Sequence, residues 1–171
     1  MIVERPQPAE HIPYYTKYID LVPETDVILA MSSEIVRTAE YLRSLPQSAG
    51  EKRYAPGKWS VKEVVGHMID TERVMGQRAL FFARKTPHAL PGYEPDDWVN
   101  ASTFGKQSME DLISEFENVR KGHVFMFKGF GPDVWSRKGI GSGNPFTVRA
   151  LAFIIVGHER HHVAILKERY A

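Results

Sequence analysis

Val148-Arg149-Ala150-Leu151-Ala152-Phe153-Ile154-Ile155-Val156-Gly157-His158-Glu159-Arg160-His161-His162 is the stretch of the 171-residue sequence that decides how the rest is read. It follows Asn144-Pro145-Phe146, and the stripe Leu151, Ile155, His158, His162, Ile165 recurs at helical spacing, so a helix is expected from Thr147 onward. At about 100° per residue, His158 and His162 lie roughly 40° apart on one helix face and one turn apart along the axis. Two imidazoles thus stand where the stripe calls for aliphatic side chains. Burying them without strong partners is costly, whereas one metal ion satisfies both.

Three further long stretches have helical periodicity. The first covers residues 24–45, with Val27, Leu29, Ile35, Val36, Leu42 and Leu45 among its apolar positions and Pro46 stopping it. A lead-in helix is expected over 14–21. The second starts at the capping box Ser60-Val61-Lys62-Glu63 and extends to about Ala83. The third begins after Ser108, with Glu110 and Asp111 near the positive end of its dipole, and continues to Lys128 before Gly129, Gly131 and Pro132. Strand signals are weak, with no alternating β-branched run between hairpin turns. The expected fold is all-α, a single antiparallel four-helix-bundle domain over residues 1–171 with one long crossover at 85–107. That connection is rich in Pro, Gly and aromatics, and a segment of its length in a compact domain is expected to be either a functional cover or disordered.

Composition narrows the function. Lys plus Arg total 22 against 21 Asp plus Glu, a net charge of +1 with no basic run, which argues against a nucleic-acid partner. Hydrophobic residues make up 43% without a long apolar segment, so no membrane partner is expected and the default location is the cytoplasm. With no cysteine, any metal must use His, carboxylate or water.

Two histidines rarely complete a site. His67, about two turns into the second helix, lies at matching depth, and bundles build metal sites from side chains at mid-height on facing helices. Three neutral imidazoles at His67, His158 and His162 leave a position open for water or substrate, the pattern of a catalytic zinc site; nickel, iron or manganese also suit imidazole. His161 is an alternative to His162 but is assigned a supporting or interfacial place, and His11, His88 and His123 are assigned to the surface or to loops. Asp70, three residues after His67, is placed to orient an imidazole or a metal-held water, or else to pair with Arg73. Gly66 and Gly157, each immediately before a histidine, point to close helix approach at the site. His158-Glu159-Arg160-His161-His162 also matches H-E-x-x-H. However, only nine residues follow His162, and no sheet or downstream ligand is found, so Glu159 is read as solvent-facing and the match as accidental.

The residues Lys58-Trp59-Ser60, Gly66-His67-Met68-Ile69-Asp70, Glu72-Arg73, Thr147-Val148-Arg149-Ala150-Leu151 and Gly157-His158-Glu159 to His162 resemble the DinB/YfiT-like superfamily of metalloenzymes. The likeness extends to Pro91-Gly92-Tyr93 and Asp96-Asp97-Trp98. It implies a four-helix bundle with a long crossover, often a homodimer, and a divalent ion on His67, His158 and His162. It also implies one of two chemistries: transfer of a low-molecular-weight thiol such as bacillithiol, mycothiol or glutathione, or hydrolysis by water activated at the metal. Thiol-dependent S-transfer is the preferred expectation, with a small-molecule substrate and with Tyr93, Asp96, Asp97 and Trp98 either contacting the thiol or packing the connection onto the bundle. A metal-dependent hydrolase is the second expectation, and a non-catalytic metal or small-molecule binding stress protein the third.

Overall fold

Helices α1 (Thr16–Ile19), α2 (Val27–Ser44), α3 (Val61–Ala83), α4 (Pro95–Ala101), α5 (Met109–Lys128) and α6 (Val148–Arg169), with strands β1 (Lys138–Gly141) and β2 (Asn144–Thr147), make up the computed structural model, which describes residues 2–170. Side-chain caps set the starts of the four long helices. Ser60 accepts from the Glu63 amide while Glu63 accepts from the Ser60 amide at 2.6 Å, the expected reciprocal box. Ser108 caps α5 and Thr147 caps α6. Helix α2 starts later than expected because Asp26 caps it by accepting from Leu29. Glu24, outside the helix, instead pairs with Arg160 of α6.

The four long helices pack in the ring α2, α5, α3, α6, so the consecutive pairs α2/α3 and α5/α6 stand diagonally. The short α1 packs on α6. Enclosed in this way, α6 has no solvent face over residues 150–159, every one of which is buried. Leu29 and Val36 of α2, by contrast, lie on its outer face. No helix among the described residues is long and apolar enough to cross a membrane.

Two elements depart from the expected all-helical layout. Strands β1 and β2 form an antiparallel hairpin in which Gly139 faces Phe146 and Gly141 faces Asn144. Ser142 and Gly143, both at positive φ (51° and 73°), make its two-residue turn. The strands are poor in β-formers because α3 leaves them no room: a Cβ at Gly139 would stand 2.1 Å from the Phe82 ring, and one at Gly141 2.8 Å from Arg78 Nε. The second is α4, which lies within the connection expected to be a loop, with Pro95 in its first turn and Asp96 and Asp97 at its positive end. The connection is fastened to β1 by Leu90, which donates to Ile140 and accepts from Ser142.

Candidate metal centre

His67 of α3 and His158 and His162 of α6 meet inside the bundle. His158 Nε2 lies 3.1 Å from His67 Nε2 and 3.1 Å from His162 Nε2, and one nitrogen from each ring can be chosen so that all three lie within 4.8 Å of one another. Two nitrogens bound at about 2.0–2.1 Å to one tetrahedral zinc ion stand roughly 3.3 Å apart, so the spacing fits a shared ion. His162, and not His161, completes the group.

The rings are held from outside. The Trp59 ring sits 4.7 Å from the His67 ring, and its backbone carbonyl accepts from the Tyr170 hydroxyl. The edge of Tyr18 meets His158 and His161. Gly157 permits this second contact, since a Cβ there would lie 1.9 Å from the Tyr18 carbonyl oxygen. Gly66 likewise admits the Phe104 ring, which would stand 2.2 Å from a Cβ at that position. Both glycines therefore mark close approach, but by α1 and by the segment after α4 and not by another long helix.

Burial drives all three imidazoles towards the neutral form. It lowers the pKa of His67 to about 4; burial, then the neighbouring imidazoles, lowers His162 to about 2 and His158 well below the usual value. Neutral imidazole is the ligating form. Both 3.1 Å contacts fall on the single Nε2 of His158, which has only one proton or one lone pair to offer them, whereas a divalent cation would take a lone pair from each of the three rings. The donor set fits a metal.

Two cavities reach the histidines from different sides. One of about 270 Å³ is lined by Tyr15, Tyr18, Thr71, Met75 and Tyr93 together with His67 and His158. The other, about 280 Å³, is lined by Lys58, Trp59, Asp96 and Tyr170 together with His162. Tyr93 is tied to Thr71 by a 2.6 Å hydroxyl pair, and burial raises its pKa to about 12 despite that bond. Of the expected thiol contacts, Tyr93 and Asp96 therefore line the cavities. Trp98 packs on Tyr93 but is half exposed, and Asp97 is exposed and lines neither cavity.

The chain belongs to the DinB superfamily. The family model matches residues 31–166, which include all three histidines. A solved structure described as "YfiT from Bacillus subtilis is a probable metal-dependent hydrolase with an unusual four-helix bundle topology" superposes with a TM-score of 0.67 at 15% identity, over 97% of this chain and 91% of that one. No curated protein matches the sequence. In this chain α3 and α6 lie side by side with the three histidines at one level.

Other expectations need correction. Glu159 is not solvent-facing: it is 1% exposed, with an oxygen 2.7 Å from Arg120 Nη2. Arg120, itself fully buried, grips Glu72 through two bonds of 2.7 and 2.8 Å and also donates to the Met31 carbonyl. His123 falls within the expected third helix but is not free on the surface. It lies on α5, 3.2 Å from Glu72, and reaches across a groove left by Gly76. His11 is buried and bonds the Ile12 carbonyl, while His88 is exposed. Asp70 stands 3.9 Å from Arg73, which is held more closely by Glu115 at 2.6 Å; the contact seen is thus the pairing with Arg73. Sequence reasoning missed the pocket residues Tyr15, Tyr18 and Thr71. For Thr71, its place one turn after His67 was the available signal.

Proposed function

We propose that this DinB-superfamily chain is a metal-dependent enzyme that transfers a low-molecular-weight thiol onto an electrophilic small molecule, with His67, His158 and His162 holding a divalent ion. The observation that carries the reading is the convergence of three imidazole nitrogens between two cavities, an arrangement suited to a reaction of two substrates. A bound divalent ion would supply Lewis acidity, favouring the thiolate form of a thiol at neutral pH.

The chain's own residues do the rest. Trp59 and Tyr18 orient the imidazoles and keep bulk water from them. Tyr93, whose phenol stays protonated because burial raises its pKa, and Thr71 present hydroxyls to the first cavity. In the overall reaction the thiol loses its proton, its sulfur forms a bond to carbon, and the leaving group departs with the electron pair. Neither Glu159 nor Glu72 has a part in this, because both are committed to Arg120.

Metal-loaded protein incubated with monochlorobimane and bacillithiol, mycothiol or glutathione in turn is expected to accelerate fluorescent-adduct formation over the metal-free control with one of the thiols. Rates equal to that control with all three would overturn S-transfer. The second reading, hydrolysis, is favoured by the description of the B. subtilis relative as a probable metal-dependent hydrolase. It predicts metal-dependent cleavage of an ester or amide substrate without any thiol. The reading also includes a homodimer, for which exposed Leu29, Val36 and Phe125 offer apolar surface on α2 and α5. Sedimentation at twice the 19.5 kDa chain mass would support it, and monomeric sedimentation would refute it.

A further inference from the structure

Arg78 is 1% exposed, yet among the described residues no carboxylate pairs with it. Its Nη2 donates to the Pro91 carbonyl at 2.9 Å and to the Ser142 hydroxyl at 2.6 Å. Its Nη1 lies 3.9 Å from the Met75 sulfur, its Nε has no partner, and the one further polar group within reach of the guanidinium among the described residues is the neutral Tyr15 hydroxyl. The Phe146 ring, 6.0 Å away, is a weak substitute for a counter-ion. Buried arginines are normally matched by a carboxylate, as Arg120 is here by Glu72 and Glu159.

The position of Arg78 gives this imbalance a meaning. His67, Thr71, Met75 and Arg78 follow one another at intervals of four, four and three residues along one face of α3. An arginine on a helix leans towards the N-terminus, here towards His67. Met75 and Ser142, which touch the guanidinium, line the cavity that also contains His67 and His158, and Tyr15, on the same cavity wall, lies within the field of Arg78. Gly141 leaves the space the guanidinium occupies.

We propose that Arg78 is the anion-recognition residue of this cavity, so that the substrate bound beside His67 and His158 carries a carboxylate or phosphate group at the end away from the histidines. The inference rests on the cavity being the substrate site, but not on a metal being bound. An anion would displace or join the Ser142 hydroxyl and use the spare N–H donors of the fork. Ser142 and Pro91 belong to the hairpin turn and the long connection, so ligand binding would also draw these two segments against α3.

Calorimetric titration of the full chain, metal-loaded and metal-stripped, with succinate, inorganic phosphate and the neutral succinamide tests this. Succinate or phosphate is expected to bind in both metal states and succinamide in neither; the anion that binds names the substrate group. Arg78→Met, which exchanges a buried charge for an apolar chain of similar length, is expected to fold and to weaken anion binding at least about tenfold. Arg78→Lys keeps the charge without the fork, and an intermediate loss is expected. Should the Met variant not fold, the Lys variant decides. Succinamide binding as well as the anions, no anion binding in either metal state, or unchanged anion affinity in the folded variants would each overturn the proposal. Anion binding only with metal present would place the anion at the histidines and overturn it too, whereas failure of metal loading alone would leave it standing.

Discussion

Helices α3 and α6 carry two buried polar clusters, only a few residues apart along each helix, and the two are built on opposite principles. In the first, His67 and His158 face each other with His162; in the second, Glu72 and Glu159 both address Arg120. His158 and Glu159 are chain neighbours that point to different sides of α6. The carboxylate–guanidinium cluster supplies its own counter-ion, with Arg120 2.7 Å from both carboxyl groups, although the Glu159 oxygens lack a well-directed hydrogen bond. Burial pushes Glu72 up, but Arg120 and His123 outweigh it and hold the carboxyl below its ordinary value, whereas for Glu159 burial wins and the pKa rises. Arg120 is shared between the two carboxyl groups, so the cluster carries its own counter-charge. The histidine cluster does not balance internally: three neutral rings point nitrogens at one another with no acid among them. Internal compensation marks a structural element, and its lack marks a place for something from outside.

That contrast is open to direct attack, and the largest effect is expected at Arg120. Arg120→Met strips both carboxylates of their cation, and a loss of about 3–5 kcal/mol in urea unfolding is expected, as for other broken buried pairs. A loss below about 1 kcal/mol would show that the cluster is not what ties α5 to α3 and α6. The histidines should respond to acid instead. In the metal-free chain the folded pKa of His67 is about 4 and that of His162 about 2, against about 6.5 when unfolded. Below pH 6.5 the unfolded chain therefore binds more protons, so stability present above that pH is lost as pH falls towards 4 for His67 and further for His162. The slope is roughly 1.4 kcal/mol per pH unit for each such histidine at most. Urea midpoints of stripped protein from pH 7.5 to 5 would show it, and a flat profile would mean that the rings are not buried and neutral. The smallest change is expected for Glu159→Gln, which replaces a carboxyl group whose charged form burial disfavours by a neutral group of the same shape. Less than about 1 kcal/mol should be lost.

The same contrast shows what could be read from the chain and what could not. Short-range chemistry was legible: Ser60 with Glu63, Ser108 and Thr147 announce three of the long helices, and i, i+4 spacing singles out His158 and His162. Asp26 is hard to single out as a cap because Glu24 looks like an equally good start. Glu159 misleads because a helical wheel presumes a solvent face. Helix α6 has none over residues 150–159, and only the ring of surrounding helices reveals that. The hairpin is hidden because its glycines answer to contact with Phe82 and Arg78 and not to strand preference. Arg78 itself cannot be distinguished from a surface arginine, since the absence of a partner is a property of three-dimensional packing.

The direct measurement is the metal content of protein purified without added metal and then dialysed against each of zinc, nickel, iron and manganese. The wild-type chain is expected to retain close to one divalent ion per chain and the His158→Ala variant to lose most of it, with a circular dichroism spectrum unchanged between the two. Equal, low metal in both proteins would contradict the account at its centre and leave the three histidines as packing alone.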